Sequence, residues 1–377
     1  MKRHSIIPRE NWRQRVEQIG FSFHTLDGVT YWDESAYYEF TRAEADKIEQ
    51  STNEIYQLCL HAVDHVVKKG LYDLFLIPHP FRDKIELSWK NREPSVYGRF
   101  DLVWDGDEKS SPKMLEFNAD TPTSLFEGAA VQWYWLSEID SQKDQFNSIH
   151  EKLIGRWKEL KNKIGDECLY FSCLQQYPED VVNVNYLRDC AAQAEIQTQF
   201  ISLQDIGREN GSFIDLEGKP IRWIFKLYPW EWMVNEEFSD SLLKFNTNWI
   251  EPIWKMILSN KAILPVLWKL FPGHPNLLES YFGDPHRLKS YAQKPLLSRE
   301  GANVILIEDG KVISKTSGEY GEEGFIYQQL YKLPDFTNHR PVIGSWIIGE
   351  QSAGIGIRES KALVTDNFSR FVPHLIS

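Results

Sequence analysis

The chain has 377 residues, 42% of them apolar, and a formal net charge of −12. Such a chain can bury a large core, and its length suggests two or three subdomains. The acidic balance, with no Lys/Arg-rich block, argues against sequence-independent nucleic-acid binding, because neutralising phosphates needs basic surface.

The opening stretch MKRHSIIPRENWRQRVEQIG has basic residues but no apolar run after them, so it does not read as a secretory leader. No window reaches the roughly 18 apolar residues of a membrane span. Cys59, Cys168, Cys173 and Cys190 match no zinc spacing. Free thiols in a cytoplasmic setting are the expectation. The 14 tryptophans fit a core of large rings, with sugar or base stacking as the alternative.

Residues 41–69 read as a helix ending at Gly70, because Ile48, Ile55, Leu58, Ala62 and Val66 recur at helical spacing. His61 and His65 sit at i, i+4 on it, but no H-E-x-x-H and no third ligand accompany them, so a zinc site is not expected. A second helix is predicted over residues 127–163. Between the two lies GRFDLVWDGDEKSSPKMLEFNAD, Gly98 to Asp120. As a hairpin it would put Arg99 and Asp101 on one face of the first strand and Glu116 and Asn118 on one face of the second. Phe100, Leu102, Trp104, Leu115 and Phe117 would take the opposite face.

Three oxygen donors at Asp101, Glu116 and Asn118 suit Mg²⁺ shared with nucleotide phosphates, and Arg99 beside them suits phosphate or a developing oxyanion. A solvated strand face would carry the same alternation. The run TPTSLFEG follows, where Thr121, Thr123 and Ser124 offer hydroxyls before a helix start. They could hold an anion, or Ser124 and Glu127 could form a plain capping box.

From Glu167 onward short apolar strands alternate with helical pieces, which predicts a small α/β unit of parallel type. Residues 250–272 read as helical around SNKAILPVLWKLF. The remainder, 290–377, reads mainly as strands with glycine-bearing turns, including a hairpin centred on Asp309 and Gly310. Lys294, before Pro295 and in a segment leading to Gly301, could reach phosphates as a point charge. No Walker-type G-x-x-x-x-G-K-[ST] is present. The glycines of SGEYGEEG suit a flap ahead of a strand bearing Gln328 and Gln329.

The blocks YGRFDLVWD, LEFNADTPTSLFE, EPIWKMILSNKAILPVLWKLFP, YAQKPLLSREGANV, IYQQLYKLP and PVIGSWIIGEQSAGIGIRES run in this order over nearly the whole chain. Together they resemble the synthetase domain of glutathionylspermidine synthetase and its stand-alone acid–amine ligase relatives. The resemblance implies an α+β ATP-grasp fold of the glutathione synthetase type, with permuted element order and an inserted α/β subdomain. It places an N-terminal part with the metal-binding hairpin at 1–130, a substrate subdomain at 131–249, and a C-terminal part with the nucleotide lid at 250–377.

Matched to the family's motifs, Asp101, Glu116 and Asn118 would hold Mg²⁺, as two ions. Arg99 would be catalytic and, with Phe100 and Asp101, contact ATP. Lys261 and Lys294 would bind its phosphates, with Gly301 covering them and Arg358 nearby. Gln328, Gln329, Leu330 and Tyr331 would line the adenine region, and Leu363 would lie near the nucleotide. Thr121 and Thr123 stand where the family has a Ser-x-Ser spacing for its acid substrate. The implied reaction is ATP-dependent amide formation through an acyl phosphate, from a small or peptide acid and an amine such as a polyamine, without nucleic-acid or membrane partners. The family's amidase domain has no counterpart here, so hydrolysis of the conjugate is not expected. The rival readings are an ATP-binding protein of the same fold without ligase activity and a carbohydrate-active protein using Asp101 and Glu116.

Overall fold

The computed structural model describes residues 1–366 and 369–377. Its centre is a five-stranded antiparallel sheet in the order Arg370–Val372, Gln351–Ser360, Arg340–Ile348, Tyr97–Val103, Lys113–Asn118. The two strands read from the Gly98–Asp120 segment are thus joined to strands from the C-terminal part of the chain. A second five-stranded antiparallel sheet has the order Ser280–Phe282, Phe325–Gln329, Tyr291–Pro295, Ile305–Glu308, Lys311–Lys315. Asp309 and Gly310 turn its last hairpin, both with positive φ, as the sequence predicts.

The α/β unit is a four-stranded parallel sheet, Asn248–Ile250, Trp223–Lys226, Leu169–Cys173 and Thr198–Ser202, with the helix Pro178–Gln193 against it. Its inner strand Leu169–Cys173 is buried throughout, whereas the edge strands Thr198–Ser202 and Asn248–Ile250 are partly exposed. The helix Arg42–Lys69 starts at a capping box formed by Thr41 and Glu44 and ends at Gly70 in the left-handed region. It packs on the central sheet, burying Ile48, Ile55, Cys59, Ala62 and Val66.

The single helix expected over 127–163 is two. A π-helical turn, Glu127–Val131, leads into Gln132–Ile139, and a separate helix covers Ile149–Ile164. The intervening segment is not helical because it is consumed by sheet-edge contacts: Asn147 bridges to Gly354, and Ser148 N donates to Ala353 O at 2.7 Å. Residues 250–272 hold two short helices, Met256–Ser259 and Ile263–Leu270, the second with Pro265 at its third position. All four cysteines are free thiols. Among the described residues no helix is long and apolar enough to cross a membrane.

Candidate active site

The polar face of the Arg99 hairpin forms one wall of a cleft between the two antiparallel sheets. Asp101 lies directly across from Glu116 and Arg99 across from Asn118. On the buried side Phe100 and Phe117 stack with centroids 3.9 Å apart, and Leu102, Trp104 and Met114 are fully buried with them. Each such large side chain contributes roughly 2 kcal/mol of burial, so the apolar face fixes which way the polar face looks.

Two expectations about this hairpin are corrected. A bulge follows Asp101, pairing Leu102 with Met114, and Leu115 faces the cleft instead of the core. Phe100, expected at the nucleotide, is not among the cleft residues. Its ring is committed to the stack on Phe117.

Every other predicted site residue lines this one cleft, which spans about 1160 Å³ counted to its open mouth: Arg99, Asp101, Glu116, Asn118, Thr121, Thr123, Lys261, Lys294, Gly301, Gln328 to Tyr331, Arg358 and Leu363. Arg99 Nε donates to Asp101 Oδ1 at 2.8 Å, and Nη1 donates to Thr123 O at 2.7 Å. Burial would lower the guanidinium pKa, but Asp101 and Glu116 outweigh it and raise it. Glu116 lies 3.2 Å from Lys261 Nζ. Burial pushes its pKa up, yet Lys261, Lys294 and Arg99 more than offset this and hold it at about 2. Glu116 is therefore an anion at any physiological pH.

Lys294 comes from the strand Tyr291–Pro295 of the opposite sheet. It donates to Gln328 Oε1 at 2.7 Å and to Leu115 O at 3.0 Å, the latter across the cleft. Burial pulls its pKa down to about 8, against the opposing pull of Glu116. Lys261 Nζ donates to Ser298 O. Beyond the lysines Ala292, Val304 and Leu306, with Leu330 and Val364 against them, make an apolar slot able to take a flat ring. Gly301 has φ 68°, and a Cβ there would lie 2.8 Å from Val364 Cγ1, so only glycine lets this loop close on residues 364–365.

The TPTS segment is built differently from a capping box. Ser124 has φ 66°, and its hydroxyl meets Tyr31 Oη at 2.9 Å, while Tyr31 Oη donates to Glu127 Oε1 at 2.7 Å. The helix amides of Leu125 and Phe126 are served by Asn183 Oδ1 at 3.0 and 3.3 Å. A residue 58 positions away from Leu125 does the capping, which local spacing could not reveal. Thr121 and Thr123 remain at the cleft, Thr121 Oγ1 accepting from Arg299.

Sequence reasoning missed Arg299, which also pairs with Glu231 at 3.1 Å, and the acidic pair Glu179 and Asp180 at the start of the helix Pro178–Gln193. Burial raises Glu179, partly offset by the Thr123 hydroxyl, and burial plus Glu179 pushes Asp180 up to about 7. The signal for Arg299 was its place two residues before Gly301. Glu179 and Asp180 read only as ordinary first-turn acids.

Two antiparallel sheets enclosing such a cleft define the fold as ATP-grasp in its glutathione synthetase-like form. A solved glutathione synthetase-like effector from Globodera pallida, in its apo form, superposes with a TM-score of 0.57 at 12% identity, over 97% of this chain and 95% of that one. The family model described as glutathionylspermidine synthase preATP-grasp matches residues 3–377, and the chain belongs to that family.

A Haemophilus influenzae protein named "Putative acid--amine ligase" is 43% identical over 392 residues, covering 99% of each chain. The bifunctional glutathionylspermidine synthetase/amidase of Escherichia coli is 29% identical over 400 residues, 97% of this chain but 63% of that protein. Trypanothione synthetase of Crithidia fasciculata is 27% identical over 329 residues, covering 79% of this chain and 50% of that one. The chain is a ligase of the acid–amine class.

Proposed function

We propose that the cleft binds ATP with Mg²⁺ and joins a carboxylic acid to an amine through an acyl phosphate. The observation that carries this reading is the facing of Asp101, Glu116 and Asn118 on one wall by Lys261 and Lys294 on the other. Two carboxylates and a carboxamide are hard oxygen donors, and Glu116 is already ionised, so the residues fit Mg²⁺. When bound, the metal would neutralise charge on the β- and γ-phosphates. Lys261 and Lys294 would hold phosphate oxygens, the Ala292–Val304–Leu306 slot would take the adenine, and Arg99 would face the charge that develops at the transferred phosphoryl group.

The acid's carboxylate oxygen attacks the γ-phosphorus as its bond to the ADP oxygen breaks. The amine nitrogen then attacks the acyl carbon, phosphate leaves with the C–O electron pair, and the nitrogen loses its proton. No enzyme nucleophile is needed, because positioning and charge neutralisation supply the rate. Thr121 and Thr123 hydroxyls and Arg299 suit the acid's carboxylate. Glu179, hydrogen-bonded to the cleft residue Thr123, offers an acidic group to a cationic amine, so a peptide acid and a polyamine are the substrate classes we favour.

The test is ADP release across a panel of acids and amines, glutathione and spermidine included, with and without Mg²⁺, and mass spectrometry for the amide. The expected result is metal-dependent ADP formation that requires an acid. ATP binding without an amide from any pair would leave a nucleotide-binding protein without ligase activity.

A further inference from the structure

A second large concavity, about 1870 Å³ counted to its open mouth, shares no lining residue with the cleft. It lies between the helix Arg42–Lys69, the segment around Trp89 to Ser95, and the turn at Gly349 and Glu350. His61 and His65, the pair that no metal claims, are on its wall. Among the described residues they gather no group of metal ligands.

Two features set this groove apart from the rest of the surface. The first is charge. In a chain with a formal net charge of −12, the groove collects Lys68, Lys69, Lys90, Arg92 and Arg156. Its lining carboxylates are fewer, but two of the cations are already spent, Lys90 on Glu86 at 2.6 Å and Arg156 on Glu159 at 2.7 Å. Asp64 is paired with Lys68 at 2.6 Å, Glu93 accepts from Ser88 Oγ, and Glu350 is exposed. Lys69 and Arg92 are exposed and have no carboxylate within ion-pair distance among the described residues. These two unpaired cations in a walled concavity attract an anion.

The second feature is aromatic. Trp89 is half-buried and packs edge-on to the buried Trp254 with centroids 5.2 Å apart, while Trp254 Nε1 is tied to Glu93 O at 3.1 Å. The inner ring is thus fixed and supports the outer one, leaving Trp89 as a braced platform at the groove. A stacking surface beside unpaired cations is the combination that recognises a base joined to a phosphate.

We propose that this groove is a second ligand site, for a nucleoside monophosphate or a planar anion of that chemistry, with the ring on Trp89 and the phosphate served by Lys69 and Arg92.

The full-length chain labelled with 5-fluorotryptophan tests this by ¹⁹F NMR, with resonances assigned through Trp89→Phe and Trp254→Phe. Uridine monophosphate should shift the Trp89 resonance saturably. Uridine alone and inorganic phosphate alone should each bind about tenfold or more weakly, since each offers half of the recognition. The double variant Lys69→Glu, Arg92→Glu changes only exposed side chains outside the catalytic cleft. It should weaken uridine monophosphate about tenfold or more while leaving the melting temperature unchanged. No saturable Trp89 shift up to about 10 mM, a shift that survives the double variant, or phosphate binding as well as the nucleotide would each overturn the proposal. Tighter binding of a single-stranded hexauridylate than of the mononucleotide would also overturn it, in favour of a nucleic-acid surface. None of these readouts depends on ligase turnover, so failure here and failure of the catalytic reading are separate results.

Discussion

Lysine–carboxylate pairs occur in two layers of this molecule, and they are built to opposite specifications. In the cleft, Lys261 and Glu116 stand 3.2 Å apart with side chains 11% and 28% exposed. In the layer behind, Lys226 pairs with Asp120 at 2.6 Å and Lys255 with Glu251 at 2.7 Å, all four essentially sealed from solvent. The sealed ammonium of Lys255, ion-paired with Glu251, donates to Tyr97 O at 2.5 Å and Ala119 O at 2.6 Å. Glu251 Oε1 in turn accepts from the amides of Val96 and Tyr97. Asp120 likewise spans Lys226 and the amide of Trp230. Residues 96–97 and 119–120 flank the strand segments that carry Arg99 and Asn118. The sealed pairs therefore pin the two strands, and the more exposed one is free to meet a ligand.

The comparison is broken first at the sealed layer, where the largest effect is expected. Lys255→Met or Lys226→Met leaves a carboxylate buried without its cation and should cost about 3–5 kcal/mol of stability, read from urea unfolding. A loss below about 1 kcal/mol would mean the pair is not sealed as described. Next, Glu116→Gln in the cleft should lower turnover about 10²- to 10³-fold while costing less stability than either sealed variant, because its side chain is partly exposed. Reversal of the two phenotypes would refute the division of labour.

The sealed layer was also the part least legible in sequence. Alternation alone placed Arg99, Asp101, Glu116 and Asn118 on one face, because a strand with one buried face must repeat every two residues. The helix Arg42–Lys69 was readable from its cap, its period and its terminal glycine. The bulge that turns Leu115 to the cleft leaves no local trace, and neither does the capping of Leu125 and Phe126 by Asn183, since both depend on partners far along the chain. Lys226 and Lys255 lie inside apolar runs with nothing nearby in sequence to mark Asp120 as a partner.

Two smaller effects sharpen the contrast within the cleft. At Gly344 a Cβ would lie 2.9 Å from Arg99 Cδ, so Gly344→Ala should push the guanidinium aside and lower turnover about tenfold, with KM for ATP changing less than kcat. Lys294 has a pKa pulled down to about 8 by burial, so in the unliganded protein it loses charge as pH rises through that value. Nucleotide affinity should therefore fall severalfold between about pH 7 and pH 9, with proton uptake on binding at the upper end. Lys294→Arg should flatten that limb, because arginine keeps its charge throughout. Calorimetry in two buffers of different ionisation enthalpy reads both.

The account rests on a divalent cation held by the hairpin against a triphosphate. Crystals grown with Mn²⁺ and a non-hydrolysable ATP analogue test this directly through the manganese anomalous signal. The account predicts a peak within ligand distance of Asp101, Glu116 and Asn118, with the γ-phosphate between it and the two lysines. Bound nucleotide with the peak elsewhere, or with none at these three side chains, would contradict it.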